Sequence, residues 1–204
     1  MLDMARSKKH IVRREQLVDA TMRAITDRGR GNLRIRDIAA EAGVSPGSVL
    51  YHYPELDELL FDVHRVVVER FYQRRVELTE SHDDPTRRLV AAIDTGLPEG
   101  RDDAVAKTLY EMHGLADRSS QHGALMTSLF DREVALYGTI LDIGVAAGRF
   151  TLAEPTRDIA RTLVVLEDGF GLHLLSNTTS VDVTLARTLL ASYARQATGC
   201  ELPI

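Results

Sequence analysis

Apolar side chains along this 204-residue chain recur at three- and four-residue intervals, the mark of helices with one buried face. Residues 11–28 carry the pattern at Ile11, Leu17, Val18, Met22 and Ile25 and stop at Gly29-Arg30-Gly31. Leu56, Leu59, Leu60, Val63, Val67 and Phe71 predict one long helix from Leu56 to about Glu80. Asp84-Pro85 reads as a cap and first turn of a helix through Leu89, Ile93 and Leu97, and Asp102-Asp103 open another through Val105, Leu109 and Met112. Leu125, Leu129, Val134, Tyr137, Leu141 and Val145 outline a long helix that Gly148 ends. After Pro155 a stripe runs from Ile159 to Leu174, and Leu185, Leu189 and Tyr193 form the last one. Proline lacks an amide hydrogen and clashes with the preceding turn, and all six prolines fall where the apolar period breaks. The expectation is an all-α chain of about nine helices.

One stretch carries more than periodicity. Leu33 to Leu60 reads LRIRDIAAEAGVSPGSVLYHYPELDELL and meets the steric demands of a helix-turn-helix. Ala39 is small where two helices cross closely. Gly43 ends the first helix at a position needing positive φ. Val44 is expected as a buried turn residue, Ser45 as the cap of the second helix and Pro46 as its first residue. Ile35, Ile38, Val49 and Leu50 are expected to hold the pair onto the preceding helix. Such a corner presents its second helix to a DNA major groove; the bland reading is a helical hairpin that touches no DNA.

Charge favours the first reading. Residues 1–53 hold 10 Lys+Arg against 6 Asp+Glu, a net of +4, leaving −9 for the rest of a chain whose total is −5. A basic amino-terminal segment on an acidic body suggests a polyanion meeting one end of the molecule. Hydrophobic residues at 44% and charged residues at 27% exclude a disordered or low-complexity chain. A 5% aromatic share leaves Leu, Val, Ile and Ala to build the core.

These residues resemble the tetracycline-repressor (TetR) family from Arg13 to Leu60, through Arg36, Ala39, Gly43, Val44, Ser45, Gly47, Tyr51, His52 and Tyr53. IGVAAGRF at Ile143–Phe150 and LEDGF at Leu166–Phe170 extend the likeness more loosely. The resemblance implies a three-helix DNA-binding domain over 1–53, joined by a long fourth helix to a helical ligand-binding and dimerisation bundle over 54–204. It implies a recognition helix around Ser45, Pro46, Gly47, Ser48, Tyr51 and His52. Arg36 would be a base reader, able to offer two parallel donors to guanine. Lys8, Lys9, Arg13 and Arg14 would form a basic arm and helix start for phosphates or the minor groove. Leu50 and Leu56 depart from the family's usual tyrosine and lysine, which removes two expected phosphate contacts. The implied function is a homodimeric repressor released from a palindromic operator by a small-molecule effector, with the fourth helix as lever. No cofactor or metal is implied.

The carboxy-terminal stripes expose more apolar surface than one chain can cover, which makes Leu163, Leu166, Phe170, Leu174, Leu185, Leu189 and Tyr193 candidates for a dimer interface. Met112, Phe130 and Tyr137 are candidates for a ligand pocket and equally for core. His113, Asp168 and His173 are polar residues on apolar helices, expected to be paired, exposed or in contact with a ligand.

Seven histidines raise a metal site, but no Glu-x-x-His or His-x-x-x-His occurs. No serine sits in a nucleophile elbow, so no enzyme is expected. A helical small-molecule-binding enzyme and a DNA-independent dimeric binding protein are the alternatives. One cysteine, Cys200, excludes an intrachain disulfide framework. The absence of any apolar run near the roughly 20 residues of a membrane helix, and of a secretory leader, points to the cytoplasm.

Overall fold

The computed structural model describes residues 2–176 and 178–203, with side chains described from Arg13 onward. Among them the chain forms nine α-helices and a single 3-10 turn, with no strand. The helices are α1 (Leu2–Arg28), α2 (Ile35–Glu41), α3 (Pro46–His52), α4 (Leu56–Glu80), α5 (Pro85–Gly96), α6 (Ala104–His113), α7 (Ser120–Ala146), α8 (Thr156–Leu175) and α9 (Val183–Thr198). None of the described helices is long and apolar enough to cross a membrane. Helix α1 begins well before residue 11, because Ala5, Arg6, Lys8 and Lys9 are strong helix formers that carry no apolar period.

Two compact units divide the chain: residues 1–69 with 104–126, and residues 70–103 with 127–204. The division does not follow the order of the sequence. Helices α4 and α7 each run from one unit into the other, and α6 belongs with the amino-terminal helices.

In the first unit, Leu17, Ala20, Ile25, Ile38, Ala39, Val49, Tyr53, Leu59 and Val63 are buried almost completely. Helix α6 is fastened to the end of α1 and to the 3-10 turn at Arg30–Asn32 by polar contacts: Lys107 Nζ donates to the Thr26 carbonyl at 2.5 Å and Arg30 Nε to the Glu111 carbonyl at 3.3 Å.

In the second unit, Leu89, Ile93, Leu141, Ile159, Leu163 and Leu190 lie in one apolar core. Asp84 caps α5, its carboxylate accepting from the Thr86 amide, and Pro85 takes the first turn. The helix stops at Gly96, one residue short of expectation; Leu97 is extended and buried. Gly144 gives IGVAAGRF its physical meaning: a Cβ there would collide with the Phe150 ring, which folds back onto the helix beyond the turn at Gly148 (φ +66°). The segment after Phe150 pairs with the end of α9 through Thr151 N–H to the Thr198 carbonyl at 2.8 Å and Ala153 N–H to the Ala197 carbonyl at 2.9 Å.

Candidate nucleic-acid interface

The corner between α2 and α3 is set by local chemistry. The Asp37 carboxylate accepts from the Arg34 amide at 3.1 Å and anchors the start of α2. Helix α2 ends at Glu41, and Gly43 turns the chain just beyond its cap with a φ of +65° that only glycine adopts without strain. The Val44 amide then donates to the Ala39 carbonyl at 2.9 Å, closing the turn. Ser45 Oγ accepts from the Ser48 amide at 3.2 Å, and Pro46 begins α3. Val44 is half-buried rather than buried.

With two turns, α3 has one inward position per turn. Val49 takes it and is fully buried. Leu50, expected to pack inward, lies about 100° round the helix and is exposed. Arg36, Ser45, Pro46, Gly47 and Tyr51 are exposed with it, and Ser48 and His52 are half-buried. Tyr51 is 71% exposed, and its ring meets that of His52 edge-on at 5.1 Å. A Cβ at Gly47 would come no nearer than 3.9 Å to any atom, so nothing inside the protein requires glycine there.

Of the basic arm, Lys8 and Lys9 lie outside the residues whose side chains are described. Arg13 donates to Gln16 at 3.0 Å. Arg14, read from the sequence as a phosphate contact, is also engaged within the protein. It donates to Asp62 at 2.8 Å and to the Tyr53 hydroxyl at 3.2 Å, and its guanidinium stacks 4.2 Å from the Tyr53 ring centroid. Burial alone would raise the Asp62 carboxyl, but the hydrogen bonds from Arg14 and Tyr53 outweigh it and hold the group below the usual carboxylate range. Burial, then the bond to Asp62, pushes the Tyr53 hydroxyl up to about 12.

The pocket candidates separate. Met112, fully buried, and His113, exposed, belong to the first unit; Phe130, Tyr137, Asp168 and His173 belong to the second. Phe130 is half-buried against the core, Asp168 is exposed, and exposed His173 places Nδ1 3.2 Å from Thr178 Oγ1. Tyr137 joins a group the sequence reading missed. Fully buried, its hydroxyl donates to Glu167, which also receives Arg75 Nη2 at 3.0 Å. Arg75 Nη1 lies 3.2 Å from Glu133. One guanidinium thus faces two carboxylates in the interior. Burial pushes Glu133 up to about 8 and Glu167 up to about 7, although Arg75 opposes both shifts. Gly96 is obligatory beside this group, because a Cβ there would collide with the Glu167 carboxylate and the Arg75 guanidinium.

Of the interface candidates, Leu163 and Leu174 face the unit's own core, and Leu166, Phe170 and Tyr193 lean on it half-buried. Leu185 and Leu189 are exposed, as are Val165 and Leu172 on α8.

A glycine-hinged corner with an exposed second helix and an outward arginine defines a helix-turn-helix DNA-binding regulator. Residues 17–63 match the family described as bacterial regulatory proteins, tetR family. The chain is 26% identical over 189 residues to the HTH-type transcriptional regulator BetI of Klebsiella pneumoniae (strain 342), covering 91% of this chain and 93% of that protein. Its fold is that of a TetR transcription regulator from Haloarcula marismortui (TM-score 0.80, 24% identity, 91% of this chain and 98% of that one). A regulator from Saccharomonospora viridis solved in complex with choline is similarly close (TM-score 0.82, 24% identity, 89% and 95%). Residues 17–63 are thus a DNA-binding domain of the TetR type, and across its length the chain is similar to DNA-binding transcriptional regulators rather than to enzymes.

Proposed function

We propose that the chain is a cytoplasmic homodimeric repressor that binds a palindromic operator and leaves it when a small-molecule effector binds. Residues 1–53 contact DNA, and residues 54–204 bind the effector and dimerise. The observation that carries this reading is the outward presentation of Arg36, Gly47 and Tyr51 around the α2–α3 corner. Arg36 offers two donors to a guanine edge, while Ser48, Tyr51 and His52 donate to phosphates. At Gly47 the bare backbone admits a phosphate that a methyl group would hold off.

Val165, Leu172, Leu185 and Leu189 form the apolar face by which two copies pair. Two α3 helices then reach half-sites about 34 to 36 Å apart. The choline-bound relative supports a small organic molecule as effector. Release requires the effector to prefer the unbound geometry, and a hundredfold preference amounts to about 2.7 kcal/mol of coupling. Helix α4, continuous through both units, is the lever.

Selection of bound duplexes from a random library is expected to return an inverted repeat. Arg36→Ala is expected to weaken binding to that repeat by about 1–3 kcal/mol and to relax preference at one base pair. Recovery of no preferred sequence by the wild-type protein at low ionic strength rejects the proposal.

A further inference from the structure

Within the first unit a cleft of about 650 Å³ is lined by residues of α1, the start of α4 and the segment 115–122. His122, only 6% exposed, lines it and meets His64, which is fully buried. Their Nδ1 atoms are 2.7 Å apart and their rings lie within 20° of parallel. Two ring nitrogens at that distance share one hydrogen.

The tautomers follow from the neighbour on the far side. His64 Nε2 lies 3.3 Å from Met126 Sδ, and a thioether accepts hydrogen bonds but has none to donate. The His64 proton therefore sits on Nε2, which leaves its Nδ1 as acceptor and makes His122 Nδ1 the donor. Burial, then the neighbouring His122 and His113, pushes His64 down to about 4, so the ring is neutral near pH 7. Burial also lowers His122; Asp57 opposes that shift and Arg30 adds to it. Neutral His122, with its proton on Nδ1, then carries a lone pair on Nε2.

The rest of the lining sets three carboxylates, Asp57, Glu58 and Asp62, against two arginines, Arg14 and Arg118, beside the apolar Leu60, Phe61 and Leu115. Arg14 and Asp62 satisfy each other at 2.8 Å. Asp57 and Glu58 remain, exposed in the first turn of α4, against Arg118 beside Asp117. The Phe61 ring stands edge-on to His122 at 5.6 Å and 87°. No group of three or more His, Cys, Asp or Glu among the described residues is placed to hold a metal ion. Lone pair, carboxylates and aromatic wall suit a group that carries positive charge and donates N–H bonds.

We propose that this cleft binds protonated alkylamines, the ammonium N–H donating to His122 Nε2 while Asp57 and Glu58 supply the opposing charge. A quaternary ammonium has no N–H to meet the lone pair, and an anion is repelled by the two carboxylates. Because the site is read by direct binding, it stands or falls separately from the operator reading.

The test uses the untagged full-length chain with 1,4-diaminobutane as probe. Calorimetry is expected to show saturable 1:1 binding, and nitrogen-15 spectra of the histidines should show a proton on His64 Nε2, a bare His122 Nε2 and a shift of the latter on titration. The Asp57→Asn/Glu58→Gln variant, altered only at exposed positions, is expected to bind at least about tenfold more weakly, as is tetramethylammonium to the wild type. Equal binding of tetramethylammonium, unchanged affinity of the double variant, a protonated His122 Nε2 in the free protein, or no saturation near about 10 mM each overturns the proposal.

Discussion

The Tyr53 hydroxyl donates to Asp62 Oδ2 at 2.8 Å, tying the residue that closes α3 to the second turn of α4. Arg14 of α1 donates to the same oxygen, so three helices of the DNA-binding unit meet at one carboxylate. Tyr53→Phe removes one hydrogen bond and is expected to cost about 1 kcal/mol in denaturant unfolding. Asp62→Ala leaves both donors without their acceptor and is expected to cost about 1–3 kcal/mol. The depressed Asp62 carboxyl stabilises the fold above its unfolded pKa, and that stability is lost as pH falls through the folded value. Asp62→Asn is therefore expected to flatten the acid limb of a melting-temperature profile below about pH 4.

The Arg75 group behaves with the opposite sign. Glu133 and Glu167 titrate higher folded than unfolded, so the native state holds more protons and stability falls as pH rises from about 4.5 to about 8. Glu133→Gln is expected to remove about half of that slope below about pH 7, where Glu167 still contributes, and most of it above; a melting curve for the variant as steep as the wild type's between pH 5 and 8 rejects the assignment. Arg75→Met leaves two buried carboxylates without their cation and is expected to cost about 3–5 kcal/mol at pH 8 and less at pH 5, where they protonate.

Gly47 separates folding from binding. With open space around its missing Cβ, Gly47→Ala is expected to leave stability unchanged or raise it by up to about 1 kcal/mol, since alanine is the better helix former. The same variant is expected to bind operator DNA more weakly. Fluorescence anisotropy beside a thermal melt reads both, and undiminished DNA affinity rules out close backbone approach at this residue.

The apolar face of α8 and α9 gives a test of assembly. Leu172 is 54% and Leu189 47% exposed, so neither holds the unit's own core together. Leu172→Asp with Leu189→Asp is expected to yield a folded monomer in sedimentation while leaving helicity by circular dichroism intact. A dimer of undiminished stability would place the interface elsewhere.

The buried charges show why part of the site was legible and part was not. Arg75 falls four residues after Phe71, Glu133 four after Leu129, Glu167 four after Leu163 and His64 four after Leu60. Each continues an apolar stripe, so the pattern already marks a polar group turned inward. Periodicity names the face but not the partner, and Arg75 meets Glu133 and Glu167 only because three helices distant in sequence converge. Asp168 looked equally eligible from its place in LEDGF. One residue beyond Glu167, it is rotated about 100° away and is exposed.

The helices, their caps and the corner at Gly43 were determined by the sequence alone, because these features rest on interactions within about four residues: amide bonds to Ser45 and Asp84, the fixed φ of Pro46 and the unstrained positive φ of glycine. Tertiary packing decided which arginine serves which end. Arg36 and Arg14 look alike in a sequence of basic residues, but Asp62 and Tyr53 stand within reach of Arg14, while Arg36 is left facing outward. It also decided that α6 joins the amino-terminal helices and that His64 meets His122. Contacts between residues 39 to 58 apart depend on how whole helices pack, and no local pattern of side chains encodes that distance.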